Sequence, residues 1–261
     1  MVFFPISDEN KTRWIRHHYV TTAIVVACAL VFLWQDSLAE REFVAFTYRY
    51  GLVPAVLFGS ETLPPRLGAA DPLLTLLTSQ FLHGSWLHLF SNMLFLWVFG
   101  DNVEDSMGHV KFAAFYLLCG ALAGIAHAVS LPASTLPTVG ASGAVAGVLG
   151  AYFVLHPRVR VWVISIIPIP FRLPAFLLLG VWIGMELLNA LYANPEEVEV
   201  AFWAHIGGFA AGAILVRFFK HASVPLWAQD EVPTHRVAGL RFRRRGPGDG
   251  TGDGAGPWGR R

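Results

Sequence analysis

The sequence predicts an all-α polytopic membrane protein folded as a bundle of six spanning helices. Three observations lead there. The chain of 261 residues is 54% hydrophobic and only 14% charged, against about 25% charged in a soluble domain, so its side chains cannot cover a water-facing surface. The apolar residues gather in six runs separated by polar or Pro/Gly-rich connections. Basic residues collect in alternate connections, as in a chain threaded back and forth across a bilayer. A net charge of +1 argues against nucleic acid and leaves the lipid bilayer as the expected partner.

The first run, 19–34, follows Lys11, Arg13 and Arg16 and reads as a retained span rather than a cleaved signal. The second to sixth runs are 86–100, 112–131, 141–155, 175–192 and 202–219. A straight crossing takes about 20 apolar residues. The fourth run is the shortest and is rich in glycine; a short helix starting below the membrane surface leaves a water-accessible pit above it. Segment 159–171 is apolar but carries Pro168 and Pro170. It reads as an interfacial or partly buried loop, with a seventh span as the competing reading.

The connection from Gln35 to Thr78 is long, as functional loops are, and its aromatic stretch 43–53 suits the membrane interface. From His221 the chain turns polar, basic and Pro/Gly-rich, and disorder is expected there. The domain plan is an N-terminal segment 1–18, a six-helix domain 19–220 and a tail 221–261. Charge orients the bundle. Arg158, Arg160, Arg172, Arg217 and Lys220 fall on the side of the N-terminal segment, and Asp36, Glu40, Glu42, Glu196, Glu197 and Glu199 fall opposite. Both termini are then cytoplasmic. With no targeting presequence read, the expected location is a bacterial inner membrane. Cys28 and Cys119 lie inside apolar runs and read as small buried groups rather than metal ligands or a disulfide.

In hydrocarbon the informative side chains are the polar ones, because each is costly unless it faces a cavity or a partner. Gly140-Ala141-Ser142-Gly143 opens the fourth run. Gly140 permits an unusual backbone approach, and the start of a helix offers free N–H groups. Gly143 and Gly147 share a face on which another helix can approach closely. Ala204-His205-Ile206-Gly207-Gly208 lies at the start of the sixth run, where Gly208 and Gly212 repeat the same spacing. Two glycine-faced helices packed together would bring Ser142 beside His205. Each motif alone is more commonly a packing feature. On the second run His88 and Asn92 are four apart and share a face, so they supply N–H donors of the kind that acyl transfer needs at a developing oxyanion. The turn Gly100–Gly108 contains Asp101, Glu104 and Asp105 and reads as structural, its carboxylates bonding backbone groups. Glu186 is expected to face the bundle or to be protonated, and has no assigned role.

Together these residues resemble the rhomboid family of intramembrane serine proteases, whose pattern runs His-x-x-x-Asn, Gly-x-Ser-Gly and Ala-His-x-x-Gly on the second, fourth and sixth helices. Here it reads His88 and Asn92, Gly140 to Gly143, and Ala204-His205 to Gly208; Gly100, Glu104 and Gly108 also look like the family's turn. The resemblance implies a Ser142–His205 dyad with no carboxylate orienting the histidine. It implies an oxyanion site made by the Ser142 N–H with His88 and Asn92, no metal or other cofactor, and transmembrane protein substrates admitted between the second and fifth spans. His83 matches a further family histidine at the outer rim and is taken as structural.

Two departures stand out. Ala146 replaces the aromatic that usually follows the nucleophile by four residues, so His205 needs another support, for which Trp203 and Phe202 are candidates. The family's Trp-Arg pair in the first loop is not evident. The rival functions are a non-catalytic rhomboid-like protein that binds membrane clients and a small transporter, although no internal repeat is visible.

Overall fold

In the computed structural model, residues 4–68, 70–164, 169–192 and 201–227 are described. The acidic connection with Glu196, Glu197 and Glu199 and the tail beyond 227, with its basic cluster 241–245, lie outside them. The apolar runs form helices. In chain order these are α1 (Tyr19–Asp36), α2 (Glu40–Tyr50), α3 (Pro54–Leu57), α4 (Pro72–Thr78), α5 (Trp86–Met107), α6 (His109–Ser130), α7 (Ser142–Leu155), α8 (Ala175–Tyr192) and α9 (Phe202–Phe219). Four of them, α1, α6, α8 and α9, are long and apolar enough to cross a membrane.

Helix α5 runs a further seven residues past the end of its apolar run, to Met107. It carries the polar sequence Asp101–Ser106 inside the helix, and Asn102, Glu104, Asp105 and Ser106 are buried. Gly108 then reverses the chain at φ +80°, a backbone region that favours glycine. Helix α7 has 14 residues, about 21 Å at a rise of about 1.5 Å per residue, well short of a hydrocarbon core of about 30 Å.

Glycine sets the packing of the bundle. A Cβ at Gly208 of α9 would run into the carbonyl of Gly143 on α7, and one at Gly150 of α7 would meet the Phe209 carbonyl carbon at 2.9 Å. Gly147 lies against Cys119 of α6, whose Cβ would be 2.5 Å from an added methyl. The backbones of α7 and α9 therefore touch along the whole glycine stripe, with α6 closing the third side. Below this stripe the interior fills with large side chains: Phe99, Phe112, Phe115, Tyr116, Leu149, Tyr152 and Leu155 are all fully buried. Cys28 and Cys119 are buried free thiols.

The all-α expectation needs one correction. A three-stranded antiparallel sheet, order β1-β2-β3, joins β1 (Phe4–Asp8), β2 (Arg160–Ile164) and β3 (Phe171–Pro174). Phe4 pairs with Ile164, Asp8 with Val161, and Arg160 with Pro174. Segment 159–171 is thus strand over much of its length rather than a loop or a seventh span, its residues 165–168 lying outside the described set. The physical cause is alternation: Val161 and Val163 are buried while their neighbours are more open, which is the period of a half-covered strand. Its partner β1 lies more than 150 residues earlier.

The segment Gly100–Gly108, expected as a turn, is helix up to Met107 and acts structurally on a distant partner. Glu104 accepts hydrogen bonds from the amides of Val20 (3.0 Å) and Thr21 (2.8 Å) and from the Thr21 hydroxyl (2.7 Å). Asp105 accepts from the amides of Arg13, Trp14 and Ile15 at 2.6–2.8 Å. These carboxylates satisfy the orphan N–H groups ahead of and at the start of α1.

The long first connection is structured by α2, α3 and α4. It also braces the approach to α7. Leu52 and Thr138 exchange backbone hydrogen bonds at 3.0 and 2.7 Å, and the Gly140 amide donates to the Ser79 carbonyl at 2.9 Å.

Candidate active site

Ser142 is the first residue of α7, and its N-cap residue, Ala141, makes no side-chain cap bond. The turn before it is held open by Gly140, at φ +125°. A methyl at Gly140 would lie 2.6 Å from the His88 ring and 3.6 Å from Asn92 Nδ2. Both side chains of the α5 pair therefore flank the residue two before the serine. His88 and Asn92 sit in the first two turns of α5, whose N-terminus is capped by the Ser85 hydroxyl accepting from the His88 amide at 3.2 Å. Asn92 is 7% exposed, and its Nδ2 has no hydrogen-bond partner among the described residues.

His205 is the fourth residue of α9 and is buried. It reaches the same place because Gly143 and Gly208 bring α7 and α9 into backbone contact. One cavity is lined by Ser91, Asn92, Ser142, Trp182 and His205, with Phe95, Val145, Ala146 and Leu149 beneath them. The structure thus brings together Ser142, His205 and Asn92, and sets His88 on the Gly140 side of the serine. Gly140, Gly143 and Gly208 shape this corner. Glu104 stands apart, at the other end of α5. His83 is fully buried just ahead of α5, its ring 5.2 Å from that of His88.

Two residues of the site were not assigned from sequence, and both come from α8. Glu186 Oε2 is 2.6 Å from His205 Nδ1, so the histidine has a carboxylate beside it, unlike the arrangement that the resemblance implies. Trp182, one turn earlier, lies with its ring centroid 6.0 Å from the His205 ring at an angle of 39°. Trp182 lines the same cavity as Ala146 and His205, and among the described ring contacts of His205 the aromatic beside it is Trp182, not the expected Trp203 or Phe202. The signal was present in the sequence: a carboxylate four residues after an aromatic, on one face of an otherwise apolar helix.

The comparisons with known proteins agree with this architecture. The Rhomboid domain profile matches residues 70–221. RHOMBOID-like protein 12, mitochondrial, of Arabidopsis thaliana is 34% identical over 159 residues, covering 54% of this chain and 44% of the relative. Rhomboid protein 1, mitochondrial, of Saccharomyces cerevisiae is 31% identical over 149 residues, 54% of this chain and 40% of the relative. Presenilin-associated rhomboid-like protein, mitochondrial, of Mus musculus is 28% identical over 216 residues, 79% of this chain and 48% of the relative. The chain spans less than half the length of each of these relatives.

Their names also correct the expected location. These relatives are mitochondrial, and the bacterial inner membrane is not supported. Charge patterning orients helices relative to a membrane without specifying which membrane it is. With its helical bundle, its membrane-length helices and a Rhomboid domain over more than half of its length, the chain belongs to the rhomboid family.

Proposed function

We propose that this protein is an intramembrane serine endopeptidase that cleaves transmembrane segments of single-pass proteins, built on six spans with α1, α5, α6, α7, α8 and α9 as the crossing helices. The observation that carries this reading is the shared cavity of Ser142, His205 and Asn92. A serine and a histidine converging on one pit, beside an amide donor with no partner among the described residues, is a costly set of groups to keep inside an apolar bundle. Acyl transfer uses all three.

In this mechanism the Ser142 hydroxyl attacks the scissile carbonyl carbon while His205 takes its proton. The electron pair moves onto the carbonyl oxygen, which is held by the Ser142 N–H, Asn92 and His88. Collapse of the tetrahedral intermediate breaks the C–N bond, and His205 protonates the leaving amine. Water then attacks the ester carbonyl, giving its proton to His205; collapse breaks the Oγ–C bond, His205 returns the proton to Ser142 Oγ, and the acid product leaves. The short α7 supports access for that water, because its 14 residues do not reach across a hydrocarbon core of about 30 Å. The substrate helix must unwind at the cut, so helix-weakening residues there favour cleavage. The cavity is lined from α5, α7, α8 and α9, and sideways admission of a helix would pass between α5 and α8.

The test is cleavage of a model single-pass substrate by purified protein in detergent, beside Ser142→Ala and His205→Ala. Cleavage is expected to vanish in both variants while their melting curves stay close to the parent's. If the variants cut as well as the parent, the proposal is wrong. If the parent neither cuts nor reacts with a fluorophosphonate at Ser142, a client-binding role replaces it.

A further inference from the structure

The carboxylate on α8 is the feature of the site that the dyad leaves unused. Glu186 and His205 have side chains only 10% and 9% exposed, and they meet at 2.6 Å through His205 Nδ1. A charged side chain in the middle of an apolar helix is expensive unless a partner repays it. The partner here is the ring proposed above as the base.

We propose that Glu186 is a positioning residue for catalysis: it fixes the His205 ring with the proton on Nδ1 and the lone pair of Nε2 turned to Ser142. This rests on the reading of Ser142 and His205 given above.

The argument is one of donors and acceptors. An ionised carboxylate only accepts, so the nitrogen facing it carries the proton. In a neutral imidazole the other nitrogen is then the acceptor. Nε2 lies across the ring from Nδ1, and His205 lines the cavity together with Ser142. Glu186 therefore selects the only tautomer that can take a proton from the serine. As that proton arrives, the ring becomes positively charged, and the adjacent carboxylate stabilises it within a desolvated site. The proton goes from Ser142 Oγ to Nε2 and from Nε2 to the leaving amine, and Glu186 is a partner of Nδ1 only.

Trp182, one turn away on the same face of α8, lies along the ring and limits its rotation.

The experiment compares the full-length parent with Glu186→Gln and Glu186→Asp, using cleavage kinetics on the model substrate and the rate of fluorophosphonate labelling. Ser142→Ala and His205→Ala serve as controls. Glu186→Gln is expected to lower kcat by about 100-fold or more, with KM within about two-fold, and to slow labelling in parallel. Glu186→Asp should recover part of that loss. A kcat within about three-fold of the parent, with both control variants dead, would overturn the proposal and leave the dyad standing.

A second readout needs no variant of Glu186. Nitrogen-15 NMR of histidine-labelled parent protein, with the His205 signal identified by its loss in His205→Ala, reports the tautomer. A proton on Nδ1 is expected, and a proton on Nε2 alone overturns the proposal even if the Glu186 variants do not fold. Undiminished cleavage by Ser142→Ala would sink the serine assignment and the catalytic role of Glu186 with it, while the tautomer would still report on the pair itself.

Discussion

Gly212 of α9 lies directly against the backbone of Gly147 of α7; a Cβ added at Gly212 would sit 2.7 Å from the Gly147 Cα and collide with its carbonyl. No side-chain rearrangement can relieve that contact, because both sides of it are backbone. Gly212→Ala must push the two helices apart, at a cost of about 1–3 kcal/mol. It also separates Ser142 from His205, so melting temperature and cleavage fall together. Gly180→Ala on α8 is the control. No described residue lies within 4 Å of a methyl there, and the substitution should leave stability unchanged or slightly raised. Thermal unfolding in detergent reads both.

Asn92→Ala removes one donor from the proposed oxyanion site. The expected result is a fall of about 100–1,000-fold in kcat with little change in KM. Melting should move little, since Asn92 Nδ2 bonds no described protein group. A large loss of stability without a kinetic effect would show that Asn92 serves the fold instead.

Glu104→Ala exposes the opposite behaviour. The variant leaves the Val20 and Thr21 amides without their acceptor and should lose about 1–3 kcal/mol of stability. The fraction that folds should cleave normally, because Glu104 lies at the far end of α5 from Ser142. Melting curves and specific activity of the folded protein separate the two effects.

Asp8, on the edge strand β1, provides a pH test. Burial, with Asp101 adding to it, raises its pKa from 3.8 to about 7, against the opposing hydrogen bonds from Tyr152 at 2.5 Å and Asn102 at 2.9 Å. A raised value in the folded state means that the folded protein binds the extra proton. The stability it confers is present below pH 3.8 and is lost as pH rises through about 7. The parent should therefore become less stable than Asp8→Asn on going from pH 5 to pH 8. Melting temperatures of the two proteins across that range check the sign; parallel curves would show that Asp8 titrates normally.

Much of this protein was legible from local pattern. The last two helices follow their apolar runs, and α7 begins one residue from the expected start of its run, because length and hydropathy decide whether a segment can leave water. The glycine pairs at Gly143/Gly147 and Gly208/Gly212 announced a close helix contact, since only glycine permits it. Helix α5 outran its apolar signal because its polar residues point inward to bind the N-terminal segment, and hydropathy cannot register a polar group whose partner is 83–94 residues away.

The sequence by itself thus determined a helical membrane protein, the order of its helices, and the motif residues Ser142, His205, His88 and Asn92. Tertiary structure alone decided the rest. It put β1 beside β2, tied Asp8 to Tyr152, and turned α8 about its axis so that Trp182 and Glu186 face His205. An α-helix presents some face to its neighbour at every rotation, and an apolar run such as α8 is nearly uniform around its circumference. Only packing against α9, through side chains 19 residues apart in the chain, selects the rotation that gives the histidine its carboxylate.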